Sequence, residues 1–165
     1  MKVLITGATG FAGQTLVEYL IDAKCDVAAL VRDRSLLLPK DVMQVAAGDL
    51  KEWSISSLLF QNEIKQALQD IDVVIHLAAR VHVMANNSSD PLAEFRTVNR
   101  DATLALARMA ADAGVKRFIF ISSVKVNGEM TMVGEPFKPY DRFIPIDPYA
   151  LSKYEAEQGL LNLAE

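Results

Sequence analysis

The chain has 165 residues, of which 51% are hydrophobic and 23% charged, with a net charge of −4. That length suits one domain with a well-buried core, and the acidic balance leaves no basic stripe for nucleic acid and no polybasic segment for a membrane surface. The single cysteine, Cys25, excludes an internal disulfide, as befits a reducing compartment.

The elements follow in order. Lys2 to Thr6 is a short aliphatic run ending in glycines and predicts a buried strand. Its apolar run is too short for a secretion signal, and no stretch approaches the roughly 18 apolar residues of a membrane span, so a cytoplasmic location is expected. Phe11 to Ala23 places Phe11, Leu16, Leu20 and Ile21 near helical spacing. Asp26 to Val31 and Val42 to Ala46 are further apolar runs of strand length, and Ile55 to Leu68 predicts a second helix. Ile71 to Leu77 is the most strand-like run of all. Asp90 to Ala113 predicts one long helix stopped by Gly114, and Phe118 to Ile121 a fifth strand. Asp147 and Pro148 open a last helix, from Tyr149 to about Ala164, with the aspartate as N-cap and the proline at the first helical position.

Strands alternate with helices, and the strands are almost continuously apolar. The expected fold is therefore α/β: a doubly wound parallel sheet of the Rossmann type, with helices on both faces in three layers. Residues 1–165 read as a single domain. Ligands of such sheets lie beyond the C-terminal strand ends. One segment breaks the rhythm. Val124 to Ile146, with Pro136, Pro139 and Pro145, is a long connection that reads as a lid or substrate loop.

Between the first strand and the first helix stand Gly7, Gly10 and Gly13, at every third residue. This is the pattern of a dinucleotide-binding turn: tight at the first glycine, open to a pyrophosphate at the second, close-packed at the third. The helix N-terminus behind it offers amides and a partial positive charge to phosphates. No Gly-Lys-Ser/Thr sequence is present, which excludes the other common phosphate loop. At the end of the second strand, Arg32 could pair with a 2′-phosphate and favour NADP, whereas Asp33 could serve the ribose of NAD. A solvated turn is the bland alternative, so the cofactor is NAD or NADP.

Tyr149 and Lys153 lie four apart on one helix face, about one turn from each other. A nearby cation favours a tyrosinate and fits Tyr149 for general acid/base work. Ser122 and Ser123 follow the fifth strand, and a hydroxyl there, with Ser123 preferred, could bond the substrate oxygen that gains or loses a proton. Elsewhere a Tyr-x-x-x-Lys pair is usually a surface accident; here the glycine turn, the strand order and the serines accompany it. His76 reads as a buried strand residue rather than a base. No metal site is expected.

Taken together, Thr6 to Gly13, Gly48-Asp49-Leu50, His76-Leu77-Ala78-Ala79, Val98-Asn99, Phe118 to Ser123 and Pro148 to Lys153 resemble, in order and spacing, the extended short-chain dehydrogenase/reductases, and among them the NAD-dependent epimerase/dehydratase family. The resemblance covers essentially the whole chain. It implies a nicotinamide cofactor and a nucleotide-diphosphate sugar as substrate, with UDP-glucose 4-epimerases as the nearest analogy. The cofactor-binding residues expected are Gly7, Gly10, Phe11, Ala12 and Gly13 of the glycine turn, with Arg32 at the end of the second strand. Asp49 and Leu50 would contact the adenine, and Leu77, Ala78 and Ala79 would line the cofactor. Asn99 would lie near the nicotinamide ribose or its water. Ser123, Tyr149 and Lys153 would be the catalytic set, the last two also touching cofactor.

Three departures stand out. Lys125 and Asn127 occupy positions where the family more often has a small residue and a tyrosine. Val31 stands where NAD-using epimerases carry an acid. The chain stops at Glu165, whereas the family continues into a C-terminal substrate domain, so a piece inactive on its own is expected. The resemblance leaves a homodimer open. An NAD(P)-dependent reductase of a small carbonyl and a non-catalytic cofactor-binding sensor are the competing readings. Sensors of this fold often lack the tyrosine or the lysine, and both are present.

Overall fold

The computed structural model describes residues 1–32, 37–48, 58–81, 90–139 and 143–164. Five strands form one sheet: β1 (Lys2–Thr6), β2 (Asp26–Val31), β3 (Met43–Ala46), β4 (Val73–His76) and β5 (Arg117–Phe120). The order is β3-β2-β1-β4-β5 and every pairing is parallel. The chain winds outward from β1 to β3, then crosses back to β4 on the other side of β1. The topological switch point therefore falls at the C-terminal ends of β1 and β4.

Alternation along the strands sends residues to two cores. Val3 and Ile5, with Val27, Ala29 and Val31, pack against Val17 and Leu20 of helix α1 (Phe11–Asp22). Leu4, Ala28, Leu30 and Val74 face the other way. There they meet Ile64 and Ala67 of α2 (Leu58–Ala67) and Ala102, Leu106 and Ala110 of α4 (Ala102–Asp112). Both faces are covered, so a one-residue slip would exchange one core for the other, and the register is strongly specified. The α/β doubly wound, three-layer arrangement expected from the sequence is the one observed.

Local chemistry sets several boundaries. Asp147 Oδ1 accepts from the Ala150 amide at 2.9 Å and Pro148 is the first residue of α5 (Pro148–Leu163). Asp90 Oδ1 likewise accepts from Ala93 at 3.0 Å at the start of α3 (Pro91–Phe95). Gly114, at φ +78°, closes α4: its amide donates to Ala111 O and that of Val115 to Ala110 O, both at 3.0 Å. Strand ends differ from the sequence expectation by a residue or two, within ordinary fraying.

One difference is more than fraying. The expected continuous helix over 90–113 is interrupted by a π-helical segment, Arg96–Asp101, between α3 and α4. Thr97 Oγ1 donates to the Ala93 carbonyl at 2.9 Å and Thr103 Oγ1 to the Asn99 carbonyl at 2.8 Å. Hydroxyls bonded back four residues compete with the ordinary ladder, and widened turns of this kind collect at functional sites. No helix among the described residues is long and apolar enough to cross a membrane.

Candidate functional site

A cleft of about 520 Å³ opens at the switch point. Thr6, Gly7, Thr9 and Gly10 line it after β1, Leu30 to Arg32 at the end of β2, and Leu77 to Val81 after β4. Gly48, beyond β3, and Val98 of the π-helical segment complete it.

The glycine turn is built for close approach. Gly7 lies at φ +72°, and a Cβ on it would stand 2.8 Å from the Ala78 nitrogen. A Cβ on Gly13 would stand 2.1 Å from the Gly7 carbonyl oxygen. No side chain can be added at either position without moving backbone. The Gly10 amide donates to Gly7 O at 3.0 Å, and Gly10 then serves as an N-cap with no capping side chain. The first amides of α1 thus open toward solvent beside exposed Phe11 and Ala12, as an anion-binding helix start requires.

Arg32 is exposed at the mouth of the cleft. Leu77, Ala78 and Ala79 form its floor after β4. Asp33, Asp49 and Leu50 lie outside the described residues. Asn99 is buried behind the cleft rather than in its wall, where Val98 stands instead. Its Oδ1 accepts from the Arg80 amide at 2.8 Å, and its Nδ2 donates to Arg80 O and to Ser152 Oγ, both at 3.0 Å. Ser152 Oγ in turn donates to Tyr149 O at 2.7 Å. Asn99 is thereby a bracket between the loop after β4 and the helix carrying Tyr149. Arg80 is further held by an ion pair with Glu94.

Tyr149 and Lys153 share a face of α5. The Tyr149 ring is partly buried, edge-on to Phe95 at 6.0 Å between centroids. Lys153 is 2% exposed; its Nζ donates to Ile121 O at 2.8 Å and stands 3.9 Å over the Phe120 ring. That bond ties α5 to the end of β5, two residues before Ser123. Ser123 caps the 3₁₀ turn Val124–Val126, with its Oγ accepting from Lys125 N at 3.3 Å. It lines a second hollow of about 450 Å³ with Asn127, Phe137, Lys138 and Glu157. Tyr149 and Lys153 line neither space, so the tie from cleft to Tyr149 runs through Arg80, Asn99 and Ser152. In the long connection, Asn127 Nδ2 donates to Lys138 O at 3.2 Å, so the two limbs of the loop close on each other. Lys125 faces Glu129 at 3.6 Å.

Burial pushes the Lys153 ammonium down to about 8, opposed by the charge of Glu157. The unfolded chain keeps that proton to higher pH, so stability rises with pH between about 8 and 10.5. Lys153→Met should abolish this rise, of roughly 3 kcal/mol, in urea unfolding followed across that window. A variant with the same slope as the parent would contradict the burial argument.

His76 is fully buried beside Phe118 and Phe120, as its place in the strand suggested. Burial, helped by the charge of Lys153, pushes its imidazole down to about 3. The unfolded chain binds this proton near 6.5 and the folded chain does not, so the stability is complete above that pH and falls on acidification. The slope is about 1.4 kcal/mol per pH unit. Asp72 and Glu155, both held low by cations, lose their contributions only below about 4.5. Unfolding free energy should therefore drop by about 2 kcal/mol from pH 6.5 to 5, and a flat profile there would speak against a neutral buried imidazole.

Sequence reasoning missed Arg80, Thr103 and Ser152. Each is a polar residue within or beside an apolar pattern, a signal of burial but not of partner.

The chain matches the model of the NAD dependent epimerase/dehydratase family over residues 3–165. It is 43% identical over 164 residues to a UDP-glucose 4-epimerase of Vibrio cholerae, covering 99% of this chain and 47% of that protein. It is 30% identical over 166 residues to the dTDP-D-glucose 4,6-dehydratase of Mus musculus, covering 94% of this chain and 44% of the relative. Among solved structures, the UDP-glucose 4-epimerase of Thermus thermophilus in complex with NAD superposes with a TM-score of 0.82 at 27% identity, over 99% of this chain and 51% of that one. MoeE5 in complex with UDP-glucuronic acid and NAD gives 0.79 at 31% identity, over 99% and 50%. The chain thus spans about half the length of the relatives it matches.

Proposed function

The chain belongs to the NAD-dependent epimerase/dehydratase family, and from that premise we propose that it is the dinucleotide-binding domain of a UDP-sugar 4-epimerase whose remaining sequence grips the sugar nucleotide. The observation that carries this reading is the hydrogen-bonded tie from the glycine-lined cleft through Arg80, Asn99 and Ser152 to Tyr149. Relatives supply the direction: a UDP-glucose 4-epimerase shares 43% of the aligned residues, and neighbours of the same fold are complexes with NAD and UDP-sugars.

The residues present fit NAD. Gly7 and Gly13 leave backbone where side chains would obstruct, and the uncapped start of α1 suits a pyrophosphate. Gly10, Phe11 and Ala12 would present their amides to the phosphates, and exposed Arg32 would lie at the adenosine ribose. Leu77, Ala78 and Ala79, which line the cleft after β4, would support the dinucleotide. Asn99 acts from behind, by holding Arg80. NAD, when bound, would supply a reversible hydride acceptor for the sugar carbon.

The chain's own groups handle the proton. Tyr149 accepts it from the sugar hydroxyl and gives it back. Ser123, whose Oγ accepts from the Lys125 amide and keeps its own proton to give, donates a hydrogen bond to the same oxygen. Lys153, one turn beyond Tyr149, brings positive charge and a donor for ribose hydroxyls. Its bond to Ile121 O keeps α5 against β5 while this happens.

The test is a product analysis. The full-length protein, supplied with NAD and separately with UDP-glucose, UDP-galactose and their N-acetyl forms, should interconvert one pair of 4-epimers without net cofactor reduction. Loss of water from the sugar would make it a dehydratase, and stoichiometric reduction of NAD would make it a dehydrogenase. Either result would replace the epimerase assignment.

A further inference from the structure

A chain of four hydrogen bonds crosses the core behind the cleft. The Ala78 amide donates to Thr6 Oγ1 at 3.2 Å, and Thr6 Oγ1 meets His76 Nδ1 at 2.6 Å. His76 Nε2 meets Thr103 Oγ1 at 2.9 Å, and Thr103 Oγ1 donates to Asn99 O at 2.8 Å. A threonine hydroxyl has one proton to give. Thr103 gives its proton to Asn99 O, so it must accept from His76, which places the imidazole proton on Nε2. Nδ1 is then bare and accepts from Thr6, whose lone pairs are left for Ala78. Every donor points the same way, from the cleft floor to the π-helical segment. The opposite tautomer would leave the Asn99 carbonyl without this donor.

We propose that His76 is a positioning residue, locked as the neutral Nε2–H tautomer, that sets the two walls of the cleft against each other. One end of the chain is the Ala78 nitrogen, the atom closest to the side-chain position that Gly7 leaves empty. The other end is the backbone of Asn99, whose side chain clamps Arg80 on both its amide and its carbonyl. The loop from Ala78 to Arg80 is thus held at both ends by groups meeting on one imidazole. Phe118 and Phe120 flank the ring, each 6.0 Å away between centroids, and Lys153 on α5 is the charge that acts on it. Among the described residues no acid is drawn into the arrangement: the ring works as a shaped donor–acceptor, not as a proton carrier.

The inference rests on the cofactor reading only for its binding assay. In the unmutated full-length protein labelled with ¹⁵N-histidine, the His76 signal should show the Nε2–H pattern unchanged from pH 5 to 8. An Nδ1–H pattern, or titration in that range, would overturn the proposal whether or not any cofactor binds. Thr103→Val keeps the shape and removes the hydroxyl; Thr103→Ser keeps the hydroxyl and removes the methyl. Thr103→Val should weaken NAD binding about tenfold, equivalent to about 1.4 kcal/mol, and speed exchange of the Ala78 amide. Thr103→Ser should stay within about twofold of the parent on both measures. A role in packing alone would reverse the order of the two variants and so sink the idea. Should the parent itself bind no NAD, the cofactor assignment falls, while the tautomer and the Ala78 exchange rate still decide the role of His76.

Discussion

Replacing Tyr149 by phenylalanine in the full-length protein will lower turnover by about 10²- to 10⁴-fold, the range that a positioned acid/base group supplies. Cofactor binding and fold will survive. The ring packs edge-on against Phe95, a contact that phenylalanine keeps. The start of α5 is held by Asp147, and its tie to Asn99 runs through Ser152 and the Tyr149 backbone carbonyl, none of which involves the phenol. The substitution therefore removes the proposed acid/base group and little else. Steady-state kinetics beside NAD titration separate the two quantities. Parent-like turnover with NAD still bound would transfer the proton chemistry to another residue, or return the protein to the class of cofactor-binding sensors.

Gly13→Ala will cost about 3 kcal/mol or more of stability and abolish dinucleotide binding with it. The added methyl would stand 2.1 Å from Gly7 O, 2.8 Å from Ala8 Cα and 2.9 Å from Gly7 C. All three are backbone atoms of the turn itself, so no rotamer change relieves the overlap and α1 must lift from β1. Overpacking of this kind sits at the upper end of the usual penalty for added methyl groups. Gly10→Ala is the control. Its Cβ would meet Gly7 O at 3.2 Å, a contact relieved by a few tenths of an ångström, and Gly10 is exposed in the cleft. That variant should keep its fold in urea unfolding but bind NAD poorly, because the methyl projects where phosphate belongs. Equal stability of the two alanine variants would mean that Gly13 is not the packing glycine.

Much of this protein was legible along the chain because the signals are local. Apolar runs of strand length, Gly7 to Gly13, the Asp-Pro starts at 90–91 and 147–148, and Gly114 each act within a few residues of where they stand. They determine the alternation of strands and helices, and right-handed crossovers then leave the parallel sheet with its cleft beyond β1 and β4. The spacing of Tyr149 and Lys153 on one helix face is equally a local matter.

Other features had no local signature. The π-helical segment keeps the apolar periodicity of the helix expected there, and the hydroxyls of Thr97 and Thr103 show their effect only once their acceptors are known. Asn99 and Ser152 are 53 residues apart, and Thr6 and His76 are 70 apart. Their polarity announces that each needs a partner, but only packing names it, since a buried donor takes whichever acceptor the fold brings within reach. Composition and periodicity thus determined the architecture and the glycine turn. Tertiary structure alone decided which nitrogen of His76 holds the proton, that Asn99 braces the cleft from behind, and how the helix of Tyr149 is joined to it, because those are contacts between segments that share no sequence neighbourhood.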